Sequence, residues 1–232
     1  QAINGIDHAK QVVNEYTDPK RGTIHIGFTS TLAAFILPTV ISAFREKYPD
    51  VQFKLKQMSH IALKEALLKG DLNVALIAPV PTDEALIDGS VLFSEKIMAL
   101  LPINHPLASE KAITLRQLKN DMFVLFPEGY VLREMIEEGC LQFGFQPNIA
   151  FVGEDIDAIK GFVSAGLGVS CVPEISVVNN VPRATVAIPI VEPKLTRTVG
   201  VMIPTDRRLL PTENLFYEFT KAFFLRLEMF QK

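Results

Sequence analysis

The sequence predicts an α/β protein built as two lobes joined by crossing strands. Three observations carry the prediction. Residues 23–78 run strand, helix, strand, helix, strand, the order of a doubly wound parallel unit. Residues 97–173 repeat the same β-α-β logic without repeating the sequence. A strand at Arg197–Ile203 and a helix at Pro211–Met229 follow, and that helix is expected to return to the first lobe. Two units of about 80 to 100 residues are a usual domain size. Folds of this kind bind ligands between their lobes, at the C-terminal ends of the strands.

Each element has a local reason. Ile3, Ile6, Val12, Val13 and Tyr16 form a ragged apolar stripe that Asp18-Pro19 stops, so residues 1–20 read as the end of a helix connecting to something upstream. Thr23–Gly27 reads as a strand, and Gly27 marks a turn or a close approach of the backbone. The hydroxyl residues Thr29, Ser30 and Thr31 precede a helix with Leu37, Val40, Ile41 and Phe44 at helical spacing. Such a turn aims a helix N-terminus at a cleft, where free N–H groups favour a carboxylate or phosphate. The plainer reading makes Ser30 or Thr31 an N-cap. Pro38 either kinks this helix or marks the start of its regular part.

Val51–Lys56 alternates, as a strand with one buried face does. Ser59 or His60 can cap the next helix, with Ile61, Leu63, Ala66 and Leu67 inward and Gly70 as its stop. Leu72–Ala78 is apolar except for Asn73, the pattern of a central parallel strand. Strands are then expected at Val91–Phe93, Ile97–Leu101, Phe123–Phe126, Ile149–Val152 and Thr185–Ile190. Helices are expected at Thr114–Leu118, Val131–Phe143 and Ile156–Ala165, and Gly166–Val169 turns into a short strand ending at Pro173. The last helix places Leu215, Phe216, Phe219, Phe223 and Leu227 on one face.

Composition bounds the function. Apolar residues make up 48% and charged residues 21%, enough apolar material for more than one core. The net charge of −3 and the lack of a basic block argue against this segment gripping a nucleic-acid backbone. Cys140 and Cys171 read as reduced, buried thiols of a cytosolic protein. No run approaches the ~20 apolar residues that span a bilayer. No signal peptide opens the chain, and its start at Gln1 reads as a fragment or a processed form. No GxGxxG loop, metal-spaced His/Cys cluster or G-x-S-x-G elbow supports an enzyme, and no cofactor is expected.

Four stretches together resemble one family. Ile24–Leu32 followed by Leu37-Pro38 is the first, and Phe44-Arg45-Glu46-Lys47-Tyr48-Pro49 the second. Leu100–Leu107 is the third, and Val163–Val169 with Val172-Pro173 the fourth. In this order they resemble the effector-binding domain of LysR-type transcriptional regulators. Leu125–Met135 and Gly153–Gly161 are similar to the subgroup that activates glutamate synthase genes in Gram-positive bacteria. The resemblance implies two Rossmann-like subdomains of the periplasmic-binding-protein type 2 arrangement. It divides the chain into a linker-helix end at 1–20, subdomain I at 21–94 and 198–232, and subdomain II at 95–197. It implies a cytoplasmic homo-oligomer, a dimer for this stretch and a tetramer for the whole regulator. DNA would be bound only through an N-terminal winged helix-turn-helix absent from this chain, and no membrane is involved.

The resemblance also implies a small carboxylate effector in the cleft between subdomains, with 2-oxoglutarate or glutamate favoured. Thr29, Ser30 and Thr31 match the turn that contacts the effector. His60 matches a position where some members use threonine; it would donate to a carboxylate or stand as an exposed histidine near the cap. Phe126, Pro127, Glu128 and Gly129 match a loop of the second lobe that faces the cleft. Ile156 matches a wall position. Arg133 either pairs with a dicarboxylate or is a solvated surface arginine. Ala78 stands where some relatives carry arginine, and His105 is structural. The rival reading, a solute-binding protein of a transporter, shares the two lobes but would normally be secreted and lacks a linker helix.

Overall fold

The computed structural model describes residues 18–82, 84–178 and 180–230. The helix expected over 1–20 lies almost wholly outside them. The chain runs β1 (Thr23–Phe28), a 3-10 turn (Ser30–Leu32), α1 (Ile36–Lys47), β2 (Gln52–Gln57), α2 (His60–Leu68) and β3 (Val74–Ile77). Next come β4 (Ile87–Pro102), β5 (Ile113–Thr114), a 3-10 turn (Leu115–Leu118), β6 (Met122–Leu125), α3 (Val131–Leu141) and β7 (Asn148–Val152). It ends with α4 (Ile156–Ser164), β8 (Ser170–Pro173), a 3-10 turn (Glu174–Ser176), β9 (Thr185–Glu192), β10 (Thr196–Pro204) and α5 (Pro211–Phe230). These form two units. The first holds the described residues up to Phe93 and those from Thr198 onward; the second is Ser94–Arg197.

In the first unit β1 lies between β2 and β3 and is parallel to both, with Ile26 opposite Leu55 and Val74. β10 adds antiparallel to β3, Val201 opposite Leu76. Val74–Ile77 is buried throughout, as its continuous apolar run predicts. β2 departs from the reading of one buried face: Phe53 is half-buried and Leu55 exposed, because β2 ends the strand order and has cover to share with only one neighbour. Gly27 is a close approach, not a turn. A Cβ there would stand 2.4 Å from both Leu63 Cδ2 and Leu72 Cδ1, so any side chain at 27 would force those two leucines to shift. On α2, Leu63, Ala66 and Leu67 are buried, but Ile61 is 66% exposed.

α5 packs on α1 in this unit. Phe44 holds Phe216 and Phe219 at ring-centroid distances of 5.2 Å each, both edge-on. The buried stripe of α5 differs from the all-apolar one expected: Thr212, Glu213, Phe216, Tyr217, Thr220 and Phe224 are buried while Leu227 is exposed. Hydrogen bonds satisfy Glu213, Tyr217 and Thr220, while the Thr212 hydroxyl has no partner among the described residues. The Glu213 carboxylate accepts from Asn73 Nδ2 at 2.6 Å, Arg207 Nη1 at 2.8 Å and the Leu210 N–H at 3.0 Å. Asn73 in turn accepts from the His25 N–H at 2.6 Å. The one polar break in the apolar run at 72–78 is thus the link between sheet and helix.

In the second unit β4 lies between β8 and β9, antiparallel to both, with Ala99 opposite Cys171 and Ile188. β5 adds to β9, and β6 pairs with β7 in parallel. β6 is tied to the approach of β8 by Val124 N–H to Val169 O and Val169 N–H to Met122 O, each 2.8 Å, and by Ser170 Oγ donating to Val124 O at 2.7 Å. Phe123, Phe126, Ile136, Ile159 and Val163 join one buried core. Gly144, at a φ of +72°, follows α3 and cannot continue it without strain in any other residue. Thr114 and Gln117 cap the 3-10 turn reciprocally.

The two strands expected at 91–93 and 97–101 are one strand, β4. The charged break between them, Ser94-Glu95-Lys96, is neutralised from outside. Glu95 and Arg197 are both buried, and Glu95 Oε1 accepts from Arg197 Nε at 2.9 Å and Nη2 at 2.7 Å. The other carboxylate oxygen accepts the Ile175 N–H at 3.2 Å.

Candidate functional site

Parallel register decides which predicted residues share an edge. In the first unit Phe28 lies opposite Gln57 on one side and Leu76 on the other, so β1, β2 and β3 finish together. The segments leaving that edge are Thr29–Thr31, Ser59-His60 and Ala78. In the second unit Leu125 lies opposite Val152, and the Gly153 N–H donates to Leu125 O at 3.0 Å. Phe126–Gly129 and Gly153–Ile156 therefore leave one edge there. The ten predicted residues fall into two groups, one at each edge.

The hydroxyl turn is not the cap of α1. Residues 30–32 close a 3-10 turn, with Leu32 N–H donating to Thr29 O at 3.0 Å, and α1 starts only at Ile36 with Phe35 at its N-cap. Pro38 is the third residue of that helix, where a missing N–H costs nothing, so it marks the start and does not kink it. The N-terminus of α1 is accordingly displaced from the hydroxyls. Thr29 and Thr31 are both buried, and Thr29 Oγ1 has no hydrogen-bond partner among the described residues. A buried hydroxyl left unsatisfied is uncommon and costly. Ser59 is the cap of α2, accepting from the Ala62 N–H at 3.4 Å. His60 is half-buried at the first helical position, not exposed.

In the second unit Arg133 is not a solvated surface arginine. Its side chain is 12% exposed. Nε donates to Glu137 Oε1 at 2.8 Å, Nη1 to the Phe126 carbonyl at 3.3 Å and Nη2 to Glu128 Oε1 at 3.4 Å. Phe126 is buried and stacks on Tyr130 at 5.2 Å. Pro127 is half-buried, Gly129 is exposed at a φ of +81°, and the Glu128 side chain is 90% exposed. Arg133 thus holds one firm carboxylate on its own helix and one loose carboxylate from the loop. Ile156 is buried in the unit's core at the first residue of α4, whose N-cap Asp155 accepts from the Ala158 N–H at 2.8 Å.

Pattern reading missed Lys160. It sits at Ile156, Ile159, Lys160, Val163, the buried stripe of α4, and is only 6% exposed. The signal was available: a lysine falls on an apolar helical stripe. No hydrogen bond or ion pair to it is formed among the described residues, and burial lowers its pKa against a weaker opposing pull from Asp157. His105, by contrast, is structural as expected. Its Nδ1 accepts the Leu107 N–H at 3.1 Å, which leaves Nε2 to donate to Asp121 at 3.1 Å. Among the described residues no group of three or more His, Cys, Asp or Glu could hold a metal ion, and no helix is long and apolar enough to cross a membrane.

Comparison with known proteins agrees with this architecture. Residues 17–224 match the family model of the LysR substrate binding domain. The chain is 53% identical over 230 residues to the transcriptional dual regulator GltC of Bacillus subtilis, covering 99% of this chain and 77% of that one. It is 25% identical over 203 residues to a probable nitrogen assimilation transcriptional activator of Synechococcus elongatus, covering 86% of this chain and 65% of that one. Among solved structures, the effector binding domain of QuiR in complex with shikimate superposes with a TM-score of 0.80 at 23% identity, covering 89% of this chain and 98% of that one. The fold is that of the periplasmic-binding-protein-like LysR substrate-binding domain, and the relatives are transcriptional regulators, neither enzymes nor transporter components. The chain belongs to the LysR family, as the effector-binding domain of a LysR-type transcriptional regulator.

Proposed function

We propose that this domain senses a small carboxylate metabolite, 2-oxoglutarate or glutamate, in the cleft between its subdomains and thereby controls genes of glutamate and nitrogen metabolism. The observation that carries this reading is the 53% identity to GltC over almost the whole chain. The nitrogen-assimilation activator among the relatives and the QuiR domain bound to shikimate point the same way. Thr29, Ser30, Thr31 and His60 would hold one end of the effector, and Phe126, Pro127, Glu128, Gly129, Arg133 and Ile156 the other. The unsatisfied Thr29 hydroxyl is a donor to a carboxylate oxygen. Arg133 offers a planar fork that matches a carboxylate once the loose Glu128 contact opens.

The effector must prefer one arrangement of the subdomains, since equal affinity for both shifts nothing. That preference alters the packing of subunits in a cytoplasmic homo-oligomer, a dimer of this domain and a tetramer of the whole regulator. DNA-binding heads outside this chain then change their spacing. The test is a thermal-shift titration of this chain with 2-oxoglutarate, glutamate and citrate. A ligand at 100 times its Kd adds about 2.7 kcal/mol, roughly 5 to 10 °C for a domain of this size. A saturable shift with one of them, lost in Thr31→Ala while the unliganded melting temperature holds, is the expected result. Unchanged affinity in Thr31→Ala would reject the hydroxyl turn as part of the site.

A further inference from the structure

The chain passes between the two units twice, at Phe93–Ser94 on β4 and at Arg197–Thr198 on β10. We infer that these two crossings are the pivots of a hinge, and that the buried Glu95–Arg197 pair is its anchor on the side of the second unit. The first support is what each residue is fastened to. On β4, Phe93 packs its ring on Phe224 of α5 at 5.5 Å, and Ser90 Oγ shares a 2.7 Å hydrogen bond with the Tyr217 hydroxyl, all within the first unit. Ser94 follows and is exposed. Glu95 comes next, and is held within the second unit by Arg197 and the Ile175 N–H. On β10 the change is more abrupt. Thr198 Oγ1 accepts the Val80 N–H at 2.9 Å in the first unit, while its neighbour Arg197 is bound to Glu95 in the second.

The second support is the nature of the anchor. A buried ion pair adds little stability over apolar side chains of similar volume, so stability alone does not account for it. A guanidinium that gives two N–H groups to one carboxylate oxygen fixes direction as well as distance, where apolar contacts let neighbouring strands slide. Beside it the Ile97 N–H donates to Leu195 O at 3.0 Å, so side chains and backbone hold the same stretch of the second unit. In the first unit the two strands come together with no room for such a device: a Cβ on Gly200 would stand 2.4 Å from Ser90 O. Hinge bending is absorbed by a few residues at the ends of rigid elements. Fastening on both sides of each crossing confines the bending to Ser94 and to the Arg197–Thr198 link. An effector that prefers one arrangement then produces a defined rotation instead of a general loosening.

The test needs no effector, so it stands apart from that of the carboxylate reading. Spin labels are placed at Lys69→Cys in the first unit and Lys119→Cys in the second, both exposed positions. Cys140 and Cys171 are buried and stay unlabelled. Labelled chain is diluted into unlabelled chain, so that each measured distance lies within one molecule. The readout is the width of the distance distribution. Adding Glu95→Leu with Arg197→Met should make that distribution about twice as wide as in the labelled parent, although the apolar pair keeps much of the stability.

A distribution no wider than the parent's overturns the anchor and leaves the pair as a filler of β4. Asn73→Ala is the control, since it breaks a buried network of the first unit that includes neither crossing strand. It should leave the width unchanged; if it broadens the distribution as much as the double variant does, the effect is general destabilisation and the inference falls. Should the double variant not fold, Arg197→Lys takes its place, because it keeps the charge and loses the fork. The same broadening is expected there, and an unchanged width overturns the inference.

Discussion

Two buried cations of the second unit sit in opposite circumstances. Arg197 is enclosed by groups that answer it: two hydrogen bonds to one oxygen of Glu95, whose other oxygen is held by the Ile175 N–H. Lys160 buries its stem to almost the same degree, but its ammonium is not among the buried unpartnered atoms of the described residues, so water answers it. The first cation completes β4, letting a charged tripeptide continue a strand. The second lends its apolar stem to the buried stripe of α4. A charge withdrawn from water needs a partner from the chain; a lysine that buries its stem and keeps its ammonium in contact with solvent does not.

The comparison can be broken most forcefully at the paired site. Arg197→Met leaves Glu95 buried with a single N–H, and should cost about 3–5 kcal/mol in urea denaturation. Combining it with Glu95→Leu should recover at least half of that loss, because a matched apolar pair no longer strands a charge. A double variant as unstable as the single one would show that the pair matters for packing rather than for charge. Next in size is Lys160→Met, with the opposite sign: it keeps the buried stem and removes a charge that burial disfavours, for a gain of less than about 1 kcal/mol. Its sign follows from linkage. A lysine whose pKa is lowered by burial destabilises the fold wherever it is charged, so the gain should be full at pH 7 and fade as pH rises toward the unfolded pKa of about 10.4.

Glu128→Gln sharpens the intermediate case of Arg133. Glu128 is too exposed to stabilise anything measurable, so denaturation curves should superpose with the wild type. Affinity for a carboxylate ligand should nonetheless rise about threefold, since a like charge has left the guanidinium. A fall in affinity would mean that the Glu128 carboxylate charge, and not only its place in the loop, serves the ligand.

The smallest effect is expected at the thiols. Burial, with Glu137 nearby, pushes Cys140 up to about 12, and burial pushes Cys171 up as well. At pH 8 only about one Cys140 in ten thousand is thiolate, so neither cysteine should react with a disulfide reagent until the domain unfolds. Unfolded thiols ionise first as pH rises, so the native state binds more protons there. Stability should therefore decline from about pH 8.5 upward.

What pattern alone reached is the set of elements and much of their burial. Periods of 2 and 3.6 and the stops at Gly70 and Gly144 are local properties, legible without knowing any neighbour. The family motifs are local strings as well, and they identified the fold and the regulator class. The errors fell where burial depends on a distant partner. Leu55 is exposed because β2 ends the strand order and has no outer neighbour. Glu213 is buried because Asn73, Arg207 and Leu210 meet it.

The site divides along the same line. The hydroxyl turn and the Phe126–Gly129 loop stand in the sequence, but their grouping at two strand edges is a matter of parallel register. Whether Arg133 is solvated, whether Thr29 is satisfied and whether Lys160 has a counter-charge are questions about what lies beside each group in space. Glu95 and Arg197 are 102 residues apart in the chain and 2.7 Å apart in the fold. Charge compensation acts across such distances, so the sequence by itself determined which residues carry charge, and only the tertiary structure decided which of those charges are answered.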